Sequence, residues 1–183
     1  IIENNINMVL GNHELYFLKG TDLADNMSEG EIKHQKWVKK QITKEQRQYL
    51  ENCNLTIEKE IKGKTILFEH FLIDSNIKEE YPFYNLSIIK DESINEIVNK
   101  IKYDLVFIGH EHNNFIINNK LYDIGSSGCR KDNKTRYVIL DTETFNIKTK
   151  IIEYDRKNFE KDLLEKDYPD RDSIAKWFFG INI

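Results

Sequence analysis

Apolar, strand-like runs that end in histidines constrain this chain more than any other feature. The run YDLVFI, residues 103–108, is apolar enough for a strand buried on both faces, yet it leads directly into GHEH, which contains His110 and His112. The run TILFE leads in the same way to His70, and NMVLGN leads to His13. In sheets covered by helices, ligands gather beyond the carboxyl ends of the strands. The pattern therefore predicts an α/β fold with a site at one sheet edge.

Length, charge and cysteine content narrow the class of protein. The length of 183 residues suits one domain over residues 1–183. The net charge of -4 gives no basic excess for a stable nucleic-acid partner. No apolar run approaches the ~20 residues of a membrane span. Cys53 and Cys129 show no CxxC spacing, which is typical of reduced thiols. We expect a soluble cytoplasmic protein without a membrane partner.

The first half of the chain shows both strand and helix periodicities. Ile6 to Leu10 is a short apolar run that predicts a buried strand. EIKHQKWVKKQI and TKEQRQYL predict two consecutive helices, the second opened by a capping box of Thr43 and Gln46. Strict alternation followed by KGK predicts a hairpin over residues 55–70.

The second half reads as a helix, a buried strand, two hairpins and two closing helices. Ser93 is expected to cap a helix with one apolar face that feeds the strand DLVFI. Hairpins are predicted to turn at Asn118 and Asn119 and again near Thr142. KNFEKDLLEKD and DSIAKWFFG predict the closing helices, the last ended by Gly180.

Strands that deliver several imidazoles to one edge would form a metal site. Neutral imidazole is a ligand of Zn, Fe and Mn, and Asn12 adds an amide oxygen. In extended chain, side chains two apart share a face, so His110 and His112 would point into one cavity. Any one of these histidines alone would more simply be a hydrogen-bonded loop residue, but their joint pattern favours a metal. His34, in a helix beside Trp37, is interpreted as a packing residue.

GNHE at residues 11–14, the strand-end His70 and GHEH at residues 109–112 together resemble the second half of the calcineurin-like metallophosphoesterase signature. The order of elements is similar to that of the small bacterial phosphodiesterases. In those proteins the GNHD or GNHE motif is followed by a helical segment, then by a strand ending in His, then by GHTH, and then by a hairpin leading to NPGSxG. Here DIGSSG is the corresponding match, and it is weak because Ile124 replaces the usual proline. RYVIL and IIEYD match the closing strands, so the resemblance covers nearly the whole chain.

The resemblance implies a four-layer α-β-β-α sandwich of two mixed sheets flanked by helices, with two metal ions (Mn, Fe or Zn) at one edge. Carried over residue by residue, Asn12, His70 and His110 would bind the second metal, and His112 the first. His13 would be catalytic: it would hydrogen-bond the phosphate and stabilise or protonate the departing oxygen. Two cations polarise the phosphoryl oxygens, and a bridging hydroxide attacks in line.

The signature's first half, DxH followed by GDxxDxG, does not occur in these 183 residues. Those segments normally supply the aspartates and the histidine that complete the first metal site. We therefore expect the chain to be the C-terminal portion of a metallophosphoesterase domain that lacks its N-terminal strands. An upstream segment of its own chain would be its partner, and the fragment alone would be inactive.

Two classes of function follow. The favoured one is a metal-dependent phosphoester hydrolase, a phosphodiesterase or phosphatase. The alternative is a non-catalytic interaction scaffold on the same fold, which would have no physical reason to keep Asn12 and four site histidines. A nuclease of the same superfamily would be expected to show more basic surface than this sequence provides.

Overall fold

The computed structural model describes residues 1–20, 27–73 and 91–182, with the backbone alone for Asp91 and Glu92. Within those ranges the chain forms a five-stranded mixed sheet and a two-stranded sheet, flanked by helices, which confirms the predicted fold class. No helix in these ranges has the length and apolarity needed to cross a bilayer. The elements in chain order are α1 Asn12–Lys19, α2 Glu29–Gln41, α3 Lys44–Glu51, β1 Thr56–Ile61, β2 Lys64–Glu69, α4 Asp91–Lys100, β3 Leu105–Ile108, β4 Asn114–Ile117, β5 Leu121–Ile124, β6 Lys134–Leu140, β7 Ile147–Glu153, α5 Lys157–Glu165 and α6 Arg171–Phe179.

The chain divides into two compact units. The sheet unit comprises Ile1–Gly11, Cys53–Ser126 and Arg136–Lys150. The helical unit comprises Asn12–Asn52, Ser127–Thr135 and Ile151–Ile183. The sequence-based expectation of one domain over residues 1–183 stays a prediction.

The five-stranded sheet is built around three parallel strands. Its order is β1-β2-β3-β5-β4. β2 runs parallel to β3, and β3 runs parallel to β5, whereas β1 and β4 are antiparallel edge strands. All four residues of β3 are buried, as the uniformly apolar run predicts. The carboxyl ends of β2, β3 and β5 therefore lie at the same edge.

The two faces of this sheet are covered by different elements. Alternate side chains of a strand point to opposite faces, so each strand supplies both cores. One face packs against α4, whose Val98 is fully buried beside Val106 and Leu121. The opposite face packs against residues of the β6–β7 hairpin, namely Val138, Leu140, Phe145 and Ile147. The sheet unit thus contains three successive layers: a helix, the main sheet and a second pair of strands.

The hairpins form where the sequence predicts them. β1 and β2 pair in antiparallel register across Lys62 and Gly63, both at positive φ. β4 and β5 are joined by a turn in which Asn118 and Asn119 have φ values of 51° and 50°. Asparagine tolerates this left-handed region better than most residues, and it therefore marks the turn in the sequence.

The helical unit has well-defined helix ends. α2 begins with a capping box between Ser28 and Glu31. α3 begins with the predicted capping box between Thr43 and Gln46. α6 ends at Gly180, whose φ of 69° is the left-handed conformation that glycine adopts readily. These local signals confirm the predicted helices of both halves.

Three local features differ from the sequence-based expectations. Ile6 to Leu10 is not a strand: Ile6 is 54% exposed, and only Val9 forms an isolated parallel bridge, to Asn54. α4 begins at Asp91, so the prediction that Ser93 caps this helix is wrong. Helix α1, which starts at Asn12 immediately after Gly11, was not predicted. In each case the conformation of a short segment depends on tertiary contacts that the local sequence pattern does not reveal.

Candidate metal centre

His70 and His110 meet at the carboxyl edge of the sheet. The parallel register pairs Phe68 with Phe107, so the segments that follow β2 and β3 leave the sheet side by side. The Gly109 N–H donates a hydrogen bond to the His70 carbonyl oxygen over 3.0 Å, which ties the two segments together. The His110 Nδ1 and His70 Nε2 atoms lie 3.2 Å apart, and both side chains are half-buried. The sequence prediction that strand ends gather histidines is thus realised for this pair.

The rings of this pair are held by a buried aromatic side chain. Phe71 is buried and packs edge-on against His70 and His110, at ring-centroid distances of 5.7 Å and 5.8 Å. The two imidazoles are themselves nearly perpendicular, with an interplanar angle of 75°. Edge-to-face packing of this kind is favourable and directional. It restricts both rings while leaving their nitrogens directed at each other.

The GHEH segment is a turn, not a continuation of the strand. β3 ends at Ile108, and His112 has a φ of 57° in the left-handed region. The argument that His110 and His112 share a face in extended chain is therefore wrong, because the chain bends between them. His112 is half-buried in this turn. In the part of the chain that the structure describes, no cluster of three or more His, Cys, Asp or Glu side chains is assembled for a metal ion.

Asp123 anchors the GHEH turn from β5. Its carboxylate accepts hydrogen bonds from the Gly125 N–H at 2.7 Å and the Glu111 N–H at 3.2 Å. The side chain is 1% exposed, and burial raises the pKa of Asp123 to about 6, although its two N–H donors act in the opposite direction. One carboxylate thus links the backbone between His110 and His112 to the DIGSSG segment.

Glu69 is a second buried carboxyl group, at the last residue of β2, immediately before His70 in the chain. It is 4% exposed, and burial raises its pKa to about 8 despite a hydrogen bond from the Ile73 N–H. For both carboxyl groups the loss of hydration on burial outweighs the hydrogen bonds that they accept from described residues. A bound cation nearby would lower both pKa values.

Asn12 and His13 belong to the helical unit, in the first turn of α1. The Asn12 Nδ2 atom lies 3.5 Å from the Tyr16 hydroxyl oxygen. His13 is exposed, and its Nδ1 atom lies 2.9 Å from Nε2 of Gln35 on α2. His70, His110 and His112 belong to the sheet unit. Of the five predicted site residues, the structure brings His70 and His110 into contact.

The contacts of His34 are packing contacts, in keeping with its interpretation as a packing residue. Its Nδ1 atom lies 3.0 Å from the Pro169 carbonyl oxygen. Its ring stacks on Trp37 at 6.1 Å and meets the ring of Tyr168 edge-on at 5.6 Å. These contacts fix α2 against the segment before α6.

Three polar residues of interest were not singled out from the sequence. Asp123 and Glu69 each lie near the carboxyl end of a strand in the parallel part of the sheet, a position that is itself a signal for a site residue. Gln35 falls at a helical spacing of three and seven from Ile32 and Ile42. A polar residue within an apolar stripe is the signal that would have identified it.

Comparison with known proteins identifies a curated relative and several similar solved structures, among them the two that follow. No protein-family model matches the chain. The chain is 30% identical over 178 residues to Uncharacterized protein MJ0912 of Methanocaldococcus jannaschii, covering 84% of this chain and 68% of the relative. The crystal structure of hypothetical protein PH1004 from Pyrococcus horikoshii matches 98% of this chain and 75% of its own, with a TM-score of 0.74 and 15% identity. A metallophosphoesterase from Sphaerobacter thermophilus matches 92% of this chain and 74% of its own, with a TM-score of 0.63 and 16% identity. The chain therefore has the metallophosphoesterase fold.

The buried Glu69 makes a pH dependence testable. Its folded-state pKa, about 8, exceeds the ordinary value of 4.5, so the folded state retains its proton more strongly than the unfolded state. In metal-free protein the free energy of unfolding should therefore fall as pH rises from about 5 to about 8, with a limiting slope of about 1.4 kcal/mol per pH unit. Urea unfolding at several pH values should show a flatter profile for Glu69→Gln. The exposed β1 residue Glu60, changed to Gln, is the control; equal slopes for wild type and Glu69→Gln would contradict the assignment.

The anchoring role of Asp123 is testable by truncation. Asp123→Ala leaves two backbone N–H groups without their acceptor, which should lower the free energy of unfolding by about 2 to 4 kcal/mol. Asp123→Asn keeps one acceptor oxygen and should cost less. Asp141 also accepts two backbone N–H bonds, from Glu143 and Thr144, but in an exposed turn, so Asp141→Ala should cost less than about 1 kcal/mol. Equal losses for the two alanine variants in chemical denaturation would show that Asp123 is not a buried anchor.

Proposed function

We propose that this chain, which belongs to the same family as Uncharacterized protein MJ0912, acts as a metal-dependent phosphoester hydrolase. The observation that carries the proposal is the His70–His110 pair at the carboxyl edge of parallel strands. The metallophosphoesterase fold supports the same reading. The proposal covers phosphodiesters and phosphomonoesters alike.

The spacing of the pair fits a shared metal ion. Nitrogen ligands of a transition metal lie about 2.0 to 2.1 Å from the ion, so two of them at right angles are about 3.0 Å apart, and about 3.4 Å apart at the tetrahedral angle. The distance between His110 Nδ1 and His70 Nε2 is 3.2 Å. Two imidazoles packed for hydrogen bonding alone would satisfy the same distance, and the metal experiment below separates the two cases.

In the proposed site, His70, His110 and Asn12 would hold one ion and His112 would contribute to the other. Mn, Fe and Zn all accept imidazole nitrogen, and Asn12 supplies an oxygen ligand for the harder ions. When bound, a pair of such ions polarises the phosphoryl oxygens and supplies a hydroxide nucleophile at neutral pH. Asp123 keeps the turn that carries His110 and His112 in place.

His13 is proposed to stabilise the departing oxygen. Its Nδ1 atom lies next to the amide nitrogen of Gln35, which leaves Nε2 for a substrate. As the P–O bond to the leaving group breaks, the Nε2–H of His13 donates a hydrogen bond to the departing oxygen and stabilises the negative charge that develops there. His13 is exposed on α1, so a phosphoester in solution can reach it.

The first test is metal content together with turnover. Elemental analysis of the freshly purified protein should show Mn, Fe, Zn or a mixture. Turnover of p-nitrophenyl phosphate and bis-p-nitrophenyl phosphate should be lost on chelation and restored by adding Mn²⁺. A metal-free preparation that stays fully active would overturn the proposal, and a protein that neither binds metal nor hydrolyses either ester would favour the interaction scaffold.

The second test separates two histidines by role. His70→Ala removes a proposed ligand and should lower both metal content and turnover. His13→Ala should leave metal content near that of the wild type while reducing turnover by about 100-fold, the usual scale for the loss of one hydrogen-bond donor to a developing oxyanion. Glu60→Gln, a change at an exposed position of β1 outside the proposed site, should change neither quantity. If His13→Ala loses metal as fully as His70→Ala does, His13 is a ligand and not the donor to the departing oxygen.

A further inference from the structure

Gln35 of α2 has an unusual environment for a glutamine. It is 5% exposed, whereas most glutamines lie at the surface. Its Nε2 atom lies 2.9 Å from Nδ1 of the exposed His13 on α1. With the amide in this orientation its NH₂ group donates and Nδ1 accepts, and the ring proton of neutral His13 then resides on Nε2. A buried side chain thus determines which nitrogen of an exposed histidine carries the proton.

Stability does not account for this side chain. The Gln35 Oε1 atom is buried and has no hydrogen-bond partner among the described residues. Leaving a buried acceptor unpaired costs about 1 to 3 kcal/mol, so an apolar side chain of similar size would suit this position better. Rotating the amide by half a turn would pair Oε1 with His13 and leave Nε2 unpaired instead. In either orientation the Gln35 amide leaves one buried polar atom unpaired, which lowers stability. The presence of Gln35 is therefore better explained by its hydrogen bond with His13.

Helix α2, which carries Gln35, is held in place by contacts beside this residue and at the start of the helix. The preceding residue, His34, contacts the Pro169 carbonyl oxygen and stacks on Trp37. The start of α2 is fixed by the reciprocal hydrogen bonds of Ser28 and Glu31. Side chains on a helix fixed in this way lose little further entropy when they orient a partner.

We propose that Gln35 is the positioning residue of His13: it holds the imidazole ring and keeps the Nε2–H tautomer directed away from α2. The inference rests on the proposed function in so far as His13 donates a hydrogen bond from Nε2–H to the departing oxygen. That role requires a neutral ring protonated at Nε2, which an amide donor at Nδ1 favours. A carboxylate at the same place would accept from Nδ1–H and move the neutral ring to the opposite tautomer.

The first measurement is spectroscopic and independent of activity. The ¹⁵N chemical shifts of the His13 ring, recorded at a pH where the imidazole is neutral, report which nitrogen carries the proton. The wild type should show the Nε2–H tautomer, Gln35→Glu the Nδ1–H tautomer, and Gln35→Leu a mixture. An unchanged tautomer in Gln35→Glu overturns the proposal whether or not the protein hydrolyses phosphoesters.

The second measurement is a double-mutant cycle in kcat. Gln35→Leu should fold at least as stably as the wild type, keep its metal content and KM, and lose about 10-fold in kcat because the Nε2–H donor is no longer oriented. In the His13→Ala background the same change should have no further effect, since the two residues act as a unit. A full 10-fold loss in that background would show that Gln35 acts on something other than His13 and would overturn the proposal. If His13→Ala itself leaves kcat unchanged, the proposed role of His13 in the reaction fails, and the tautomer measurement still decides the role of Gln35.

Discussion

The parallel pairing of β2 with β3 is the constraint on which the candidate site depends. Parallel strands place their carboxyl ends at the same edge, and the register of Phe68 with Phe107 brings the following segments side by side. His70 and His110 are neighbours for that reason, although 40 residues separate them in the sequence. The burial of all four β3 residues, with α4 on one face and the β6–β7 hairpin on the other, stabilises this pairing.

The sequence predicts those parts of the fold that local chemistry determines. The capping box at Thr43, the left-handed turn at Asn118 and Asn119, and the buried strand before His110 each have a short-range cause, and each is confirmed. The segment Ile6–Leu10 shows the limit of this reasoning. Four apolar residues in a run of five suit a strand, but pairing depends on which backbone lies alongside, and here a single bridge from Val9 forms.

The candidate site shows the same division. The meeting of His70 and His110 follows from a general rule about strand ends, and it could be predicted. The bend at His112 could not, because it depends on Asp123, which holds the backbone of the turn from another strand. The apolar stripe of α2 could have marked Gln35 as a buried polar residue, but not its partner, which lies 22 residues away on a helix that the pattern did not reveal. What a buried polar side chain does for a neighbour is found only when that neighbour is known.

The long separation between His70 and His110 also bears on the order of folding. The β1–β2 hairpin closes across two residues and can form early, whereas β2 and β3 pair only after the chain between them has been brought back, which is slower because of the entropy of loop closure. A nascent or unfolded chain therefore lacks the two-histidine arrangement entirely. An ion held by this pair would be captured late, by a sheet already formed, and its binding energy would act against unfolding and not in favour of initiation.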